Sequence, residues 1–201
     1  LTINQNIYKK LFFFFKFIYY FIMSKKLILI RHAKSYWGKK GRLFFVGNDH
    51  DRPLNTRGKK NAKSMSQYFI RNQISVDYIF SSSAKRATET LSYFNKKDIT
   101  KLGYNTCEEL YTFQFYDLIK FIKKIDNKYD NIILISHNPG IQDFCLEFIL
   151  NQQNNIFFNY LKTKFPTCAA AILLSNTKEW DNIDKKGFNL KNFIIPKSIS
   201  D

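Results

Sequence analysis

A chain of 201 residues, 45% of them hydrophobic, can bury one core of ordinary size, and nothing in its length calls for a second domain. Its formal charge of +16 would suit nucleic acid or an anionic membrane surface, but the charge is mostly Lys scattered among Asn, Ile, Phe and Tyr, with no basic stripe, which argues against a nucleic-acid partner. Only six of the 32 basic residues are Arg (Arg31, Arg42, Arg52, Arg57, Arg71 and Arg86), and in a chain that writes Lys by default these are the positions where the planar fork that grips phosphate or carboxylate is expected.

In chain order, residues 1–22 are out of character. Four Phe follow Leu11, and Lys16 interrupts an apolar run too short to span a bilayer comfortably, with no small-residue cleavage site after it. Met23 then stands immediately before the first convincing strand. Residues 1–22 are therefore read as an extension, from a start placed too far upstream or, alternatively, a membrane anchor, and residues 23–201 as a single domain. Leu27 to Ile30 are four apolar residues without alternation, the pattern of a strand covered on both faces in a parallel sheet, and Arg31 and His32 emerge at its carboxyl end.

An irregular connection through Trp37, Gly38, Gly41 and Gly47 leads to Arg52-Pro53-Leu54-Asn55. Thr56 is placed to cap a helix that runs to about Gln73, with Ala62, Met65 and Phe69 on one face. Val76 to Phe80 is predicted as the second strand, ending at Ser81-Ser82-Ser83, and a helix from Ala84 to about Asn95 carries Arg86 in its first turn. A short strand is expected before Leu110, and Phe115 to Lys128 is amphipathic, with Leu118, Ile122 and Ile125 facing inward.

Asn131 to Ser136 is a second fully buried strand, running into His137-Asn138-Pro139-Gly140. Asn138 is the expected N-cap and Pro139 the first position of a helix that buries Ile141, Phe144, Cys145, Phe148 and Ile149. Asn151 to Asn155 reads as a linker, Ala169 to Leu174 as a strand, and Trp180 to Ile195 as holding one more. Strands alternating with helices predict an α/β fold, a three-layer α/β/α sandwich on a mostly parallel central sheet. Cys107, Cys145 and Cys168 are odd in number and widely spaced, with neither a metal-like pair nor a disulfide framework, which points to a reducing cytoplasm.

Three strand ends carry chemistry: Arg31 and His32, the Ser81–Ser83 turn with Arg86, and His137. In a parallel sheet they converge on one crevice, and two histidines, two arginines and two helix N-termini around one point suit a tetrahedral phosphoryl group. Taken singly, Arg86 reads as an exposed helix arginine, and His137 equally as a helix-cap histidine. His50 is assigned to the loop without a role.

Four segments in order, Arg31-His32-Ala33-Lys34-Ser35, Asp51-Arg52-Pro53-Leu54-Asn55-Thr56-Arg57-Gly58, Ser81-Ser82-Ser83-Ala84-Lys85-Arg86-Ala87-Thr88-Glu89-Thr90 and Ser136-His137-Asn138-Pro139-Gly140, resemble the motifs of the histidine phosphatase superfamily. With Pro166-Thr167 before an Ala-rich strand, they are similar to its SixA-type phosphohistidine phosphatase branch. The resemblance implies a phosphoglycerate mutase-like fold and a phosphatase without metal or cofactor. His32 would be the nucleophile that carries the phosphoryl group, Arg31 and Arg86 would clamp its oxygens, and His137 would donate to it.

Arg52 and Asn55 are further candidates for substrate contact, with a loop-holding role for Arg52 as an equal alternative. The expected partner is a phosphorylated protein or a small phosphorylated substrate, with no nucleic acid, and no membrane unless residues 1–22 are real. The alternatives are a small-molecule phosphomonoesterase or mutase-like enzyme, and a catalytically silent phosphate-binding module. Asp49, Asp51, Glu108 and Glu109 are candidates for a general acid by position alone. Ser136 replaces the Gly usual before His-Asn-Pro-Gly and is expected to crowd the backbone there, and the connection from Gly38 to Asp51 is longer than usual.

Overall fold

The computed structural model describes residues 25–38, 47–150 and 155–199, so the reading of residues 1–22 lies outside the described residues, as does Arg42. The structure is built on one six-stranded sheet: β1 (Lys26–Arg31), β2 (Tyr78–Ser82), β3 (Tyr104–Cys107), β4 (Asn131–Ser136), β5 (Ala170–Ser175) and β6 (Phe188–Ile194). Their spatial order is β3-β2-β4-β1-β5-β6. The pairs β1–β4, β2–β4 and β2–β3 are parallel, whereas β1–β5 and β5–β6 are antiparallel.

The helices are α1 (Thr56–Arg71), α2 (Lys85–Phe94), α3 (Phe115–Ile122), α4 (Gly140–Phe148) and α5 (Ile156–Thr163). The unbroken apolar run of β1 is explained by the two cores that it feeds. Leu27 and Leu29 point to one side with Ile132, Leu134, Phe144, Phe148, Leu118 and Leu161, and Ile28 and Ile30 point to the other with Ile133, Ile135, Ala62, Met65, Phe69 and Leu91. Both faces are covered by helices, so no position in the run can be polar, and the three-layer sandwich follows. Among the described residues, no helix is long and apolar enough to cross a membrane.

Several boundaries differ from the sequence reading. Asn55 and not Thr56 caps α1, its side-chain oxygen accepting from the Gly58 amide at 2.8 Å. The helix predicted from Phe115 to Lys128 stops as α3 at Ile122. The chain then tightens into i→i+3 bonds, Lys124 N–H to Phe121 O and Ile125 N–H to Ile122 O at 3.1 Å each, which keep Ile125 in the core without a further helical turn.

Asn138 does not cap α4. Pro139 holds the cap position and Gly140 opens the helix. Helix α5 has no counterpart in the sequence reading. Only Phe158 and Leu161 are buried, while Ile156, Phe157 and Tyr160 are exposed, so apolar residues lie on both faces and mask the helical period.

The parallel register aligns the strand ends, pairing Arg31 with Ser136 and Ser81 with Ile135. The carboxyl ends of β1, β4 and β2 therefore face one side, where an open sheet of this kind holds its ligand. The start of α1 closes that side because Gly58 lies against the main chain of Lys34: a Cβ at Gly58 would sit 2.0 Å from the Lys34 carbonyl oxygen. We expect Gly58→Ala to cost about 2 kcal/mol or more in urea denaturation, because backbone cannot move aside as a side chain can. A loss under about 0.5 kcal/mol would show that α1 is free to shift.

Candidate active site

His32 follows directly on β1 and is 7% exposed. Its Nδ1 lies 2.8 Å from the main-chain oxygen of Ala33, which can only accept, so the hydrogen of the neutral ring sits on Nδ1 and Nε2 keeps its lone pair. The Ala33 amide in turn donates to Thr90 Oγ1 at 3.0 Å, and Thr90 donates to the Arg86 carbonyl at 2.7 Å. The nucleophile candidate is thereby tied to α2.

His137 leaves β4 fully buried, with the rings of Phe113 and Tyr111 at 5.3 and 5.4 Å and the ring of His32 at 5.0 Å. Its Nε2 is 2.8 Å from Ser82 Oγ at the end of β2. Arg86, 1% exposed, reaches both imidazoles: Nε donates to His32 Nε2 at 3.3 Å, and Nη2 lies 3.3 Å from His137 Nδ1. With Nδ1 of His137 facing a guanidinium, its hydrogen belongs on Nε2, directed to Ser82.

Arg31 donates from Nη1 to the Phe165 carbonyl at 2.7 Å, while its buried Nε has no acceptor among the described residues. A buried donor without a partner costs about 1–3 kcal/mol.

The remaining candidates divide. Arg52 is held by its own loop: it donates to Ser35 Oγ and Asp49 Oδ1 and lies 3.8 Å over the Trp37 ring, which favours the loop-holding alternative. Asn55 spends both polar ends on the chain, capping α1 and donating to the Ser35 carbonyl at 3.2 Å. Asp49 alone of the four acids is joined to the central arginine, its Oδ2 2.9 Å from Arg86 Nη2. Asp51 and Glu108 instead lie 3.6 and 3.9 Å from the ring of His50 and are largely exposed.

Ser136 does not crowd the site. Its buried hydroxyl donates to the Leu110 carbonyl at 2.8 Å and so ties the segment carrying Tyr111 to β4. Sequence reasoning gave no role to Ser82, Thr90, Tyr111 or Glu89, the last of which accepts the Leu54 amide at 2.7 Å. Three of them stand in quoted motifs, but which polar atom each would meet depends on strands far away in sequence. His50, left without a role, bonds Ser83 Oγ at 2.8 Å and packs edge-on to Tyr111 at 5.0 Å, in the wall of the site.

The model of the histidine phosphatase superfamily (branch 1) matches residues 27–118, a stretch that holds the first three motifs, His32 and Arg86. Over that stretch the chain is similar to the histidine phosphatase superfamily.

An uncharacterised protein of Mycobacterium leprae is 29% identical over 168 residues, covering 84% of this chain and all of that one. A chloroplastic protein of Arabidopsis thaliana, also uncharacterised, is 24% identical over 189 residues, 88% of this chain and 80% of that one. Among solved structures, a SixA-type protein from Nakamurella multipartitia superposes with a TM-score of 0.70 at 20% identity, covering 86% and 96% of the two chains. The protein histidine phosphatase SixA in complex with tungstate gives 0.66 at 16% identity, covering 87% and 99%. These superpositions establish a phosphoglycerate mutase-like fold for this chain.

Burial pushes the His32 imidazole well below its ordinary 6.5, and the neighbouring His137, Arg86 and Arg31 add to the effect against the Ala33 hydrogen bond. Burial, then Arg86, Arg52 and Arg31, take His137 to about 3, with Asp49 opposing. Both rings are therefore neutral in the free protein at neutral pH. Above about pH 6.5 folded and unfolded rings are alike neutral; below it the unfolded chain takes up protons that the folded one refuses, so stability falls as the pH drops. In a ring-carbon and ring-nitrogen NMR titration of the free protein, neither His32 nor His137 should take up a proton between about pH 7.5 and 5.5, and His32 should carry its hydrogen on Nδ1. A midpoint near the ordinary 6.5 for either ring would contradict this electrostatic picture.

Proposed function

We propose that residues 23–201 form a cytoplasmic, metal-independent phosphatase of the SixA type, acting on phosphohistidine in proteins through a phosphohistidine formed on His32. The observation that carries the reading is the state of His32: Nδ1 anchored on Ala33 and Nε2 unprotonated beside the Arg86 guanidinium. A neutral imidazole nitrogen is a competent nucleophile, and phosphoryl transfer asks mainly for in-line positioning and for charge on the equatorial oxygens. The reducing compartment fits three free cysteines, Cys107, Cys145 and Cys168.

In the first step His32 Nε2 forms a bond to phosphorus while the bond to the leaving group breaks. Arg86 and Arg31, with its unpartnered Nε, would neutralise the three oxygens. His137 would contribute by taking a proton of the incoming phosphoryl group at Nδ1, so that the imidazolium formed donates from Nδ1 to the resulting dianion while Nε2 still donates to Ser82 Oγ. In the second step water attacks the phosphohistidine, inorganic phosphate leaves, and the lone pair returns to Nε2.

The substrate class follows from the acid. Partial burial raises the Asp49 carboxyl, but the Arg52 hydrogen bond, the Arg86 charge and the Tyr111 hydroxyl outweigh it and leave the group below the ordinary carboxylate value. A carboxyl held ionised is a poor proton donor, and this suits a leaving imidazole, which needs far less protonation than an alkoxide. The names of the SixA neighbours agree with this class. The second reading, a small-molecule phosphomonoesterase, draws support from the contact of Asp49 with Arg86.

The test is phosphate release from a phosphohistidine-bearing protein and from an aryl phosphate, with EDTA present, for the full chain and its His32→Ala variant. We expect turnover in EDTA, a preference for the phosphohistidine protein, and a loss of at least about 10³-fold in the variant. A preference for the aryl phosphate would favour the phosphomonoesterase. No turnover on either substrate by the folded protein would sink the phosphatase reading and leave a phosphate-binding module.

A further inference from the structure

We propose that Asp49 is a resident anion of the phosphoryl pocket: its carboxylate holds the Arg86 guanidinium over His32 and has to give way before a dianionic phosphoryl group can bind. Asp49 is thus a positioning and specificity residue. The inference rests on the reading of the pocket as a phosphoryl site.

Asp49 opens a short 3-10 turn, Asp49–Asp51, where the Asn48 side chain accepts from the His50 amide. Its carboxylate is gripped as a phosphoryl group would be. Oδ1 accepts from Arg52 Nε at 3.1 Å and Nη2 at 2.7 Å, and Oδ2 accepts from Arg86 Nη2 at 2.9 Å and the Tyr111 hydroxyl at 3.0 Å. The main-chain oxygen of Asp49 accepts from Arg86 Nη1 at 2.6 Å. Two guanidinium groups and a hydroxyl converging on one anion is the donor set that recognises phosphate as well as carboxylate.

Each nitrogen of Arg86 is consequently spoken for, Nε by His32 and the two Nη by Asp49, with Nη2 also facing His137. A phosphoryl oxygen placed in line with His32 Nε2 can accept from Nε or Nη2, the two Arg86 nitrogens that face the imidazoles, only by replacing one of these partners. Arg86 is 1% exposed and packed under the site, whereas the Asp49 side chain is 46% exposed and has solvent to turn into. The partner that leaves is therefore Asp49.

The exchange is selective by charge. A dianionic phosphoryl group interacts about twice as strongly with the same cations as the single charge it displaces, and a monoanion gains nothing over the resident carboxylate. The site is then biased toward terminal phosphoryl groups and against diesters and ordinary carboxylates.

The experiment is calorimetric binding of inorganic phosphate at about pH 8, where it is dianionic, to the full chain and to its Asp49→Asn, Tyr111→Phe and Arg86→Ala variants. Asp49→Asn keeps the size and an acceptor oxygen but removes the charge, and it should bind phosphate about tenfold more tightly. Tyr111→Phe removes one bond from the resident carboxylate without changing any charge, and it should tighten phosphate by a smaller factor, about threefold. A residue that merely supported Arg86 would, when changed, weaken phosphate binding.

Equal or weaker binding by Asp49→Asn, or weaker binding by Tyr111→Phe should Asp49→Asn fail to fold, overturns the proposal. If Arg86→Ala abolishes binding while the other two fail to tighten it, the resident-anion proposal falls and the phosphoryl site stands. If no form of the protein binds phosphate, both fall.

Discussion

The guanidinium of Arg86 is the constraint on which the site depends. Buried at the start of α2, it joins the imidazoles that follow β1 and β4 and the turn that carries Asp49. A buried arginine is tolerable only with its hydrogen-bonding capacity met, and every nitrogen here has an acceptor. That requirement is mutual. The groups around Arg86 belong to three separate parts of the chain, so meeting it fixes their relative positions, and the three-layer packing beneath supplies the rigidity.

Around this centre a set of neutral bonds determines which nitrogen of each histidine is available. Ala33 O orients His32, Ser82 Oγ faces His137 Nε2, and Thr90 links the loop after β1 to the first turn of α2. Tautomer choice in a histidine is made by the partner of the other nitrogen, and here main-chain and hydroxyl groups make it. Ser136, at a position where the family pattern has Gly, is absorbed into the same network by its bond to Leu110, so the substitution secures the wall that holds Tyr111. The aromatic rings of Tyr111 and Phe113 keep His137 dry and neutral.

The acidic residues show how position in sequence and position in space part company. Asp49, Asp51, Glu108 and Glu109 stand in two short polar segments and look equivalent as letters. Tertiary structure gives Asp49 two arginines and a tyrosine and sends Asp51 and Glu108 to the flank of His50, so that among the described acids the one at the centre is held ionised. Such a site matches a reaction in which charge neutralisation outweighs protonation.

Much of the fold was legible because local chemistry decides it. The runs Leu27–Ile30 and Ile132–Ile135 can only be strands covered on both faces, and the motif segments after them and after β2 put Arg31, His32, Arg86 and His137 at the carboxyl edge of the parallel strands. What failed locally failed for local reasons: α5 shows apolar residues on both faces, and the cap of α1 depends on which of Asn55 and Thr56 turns its oxygen to the helix. The sequence by itself therefore determined the layers, the strand ends and the residue types of the site. Only the tertiary structure decided the rest, the unprotonated nitrogen of His32, the bonds of Arg52 to Ser35 and Asp49, the cap at Asn55 and the seat of Asp49 on Arg86. These depend on hydrogen bonds between segments tens of residues apart, and such bonds leave no periodic trace in the chain.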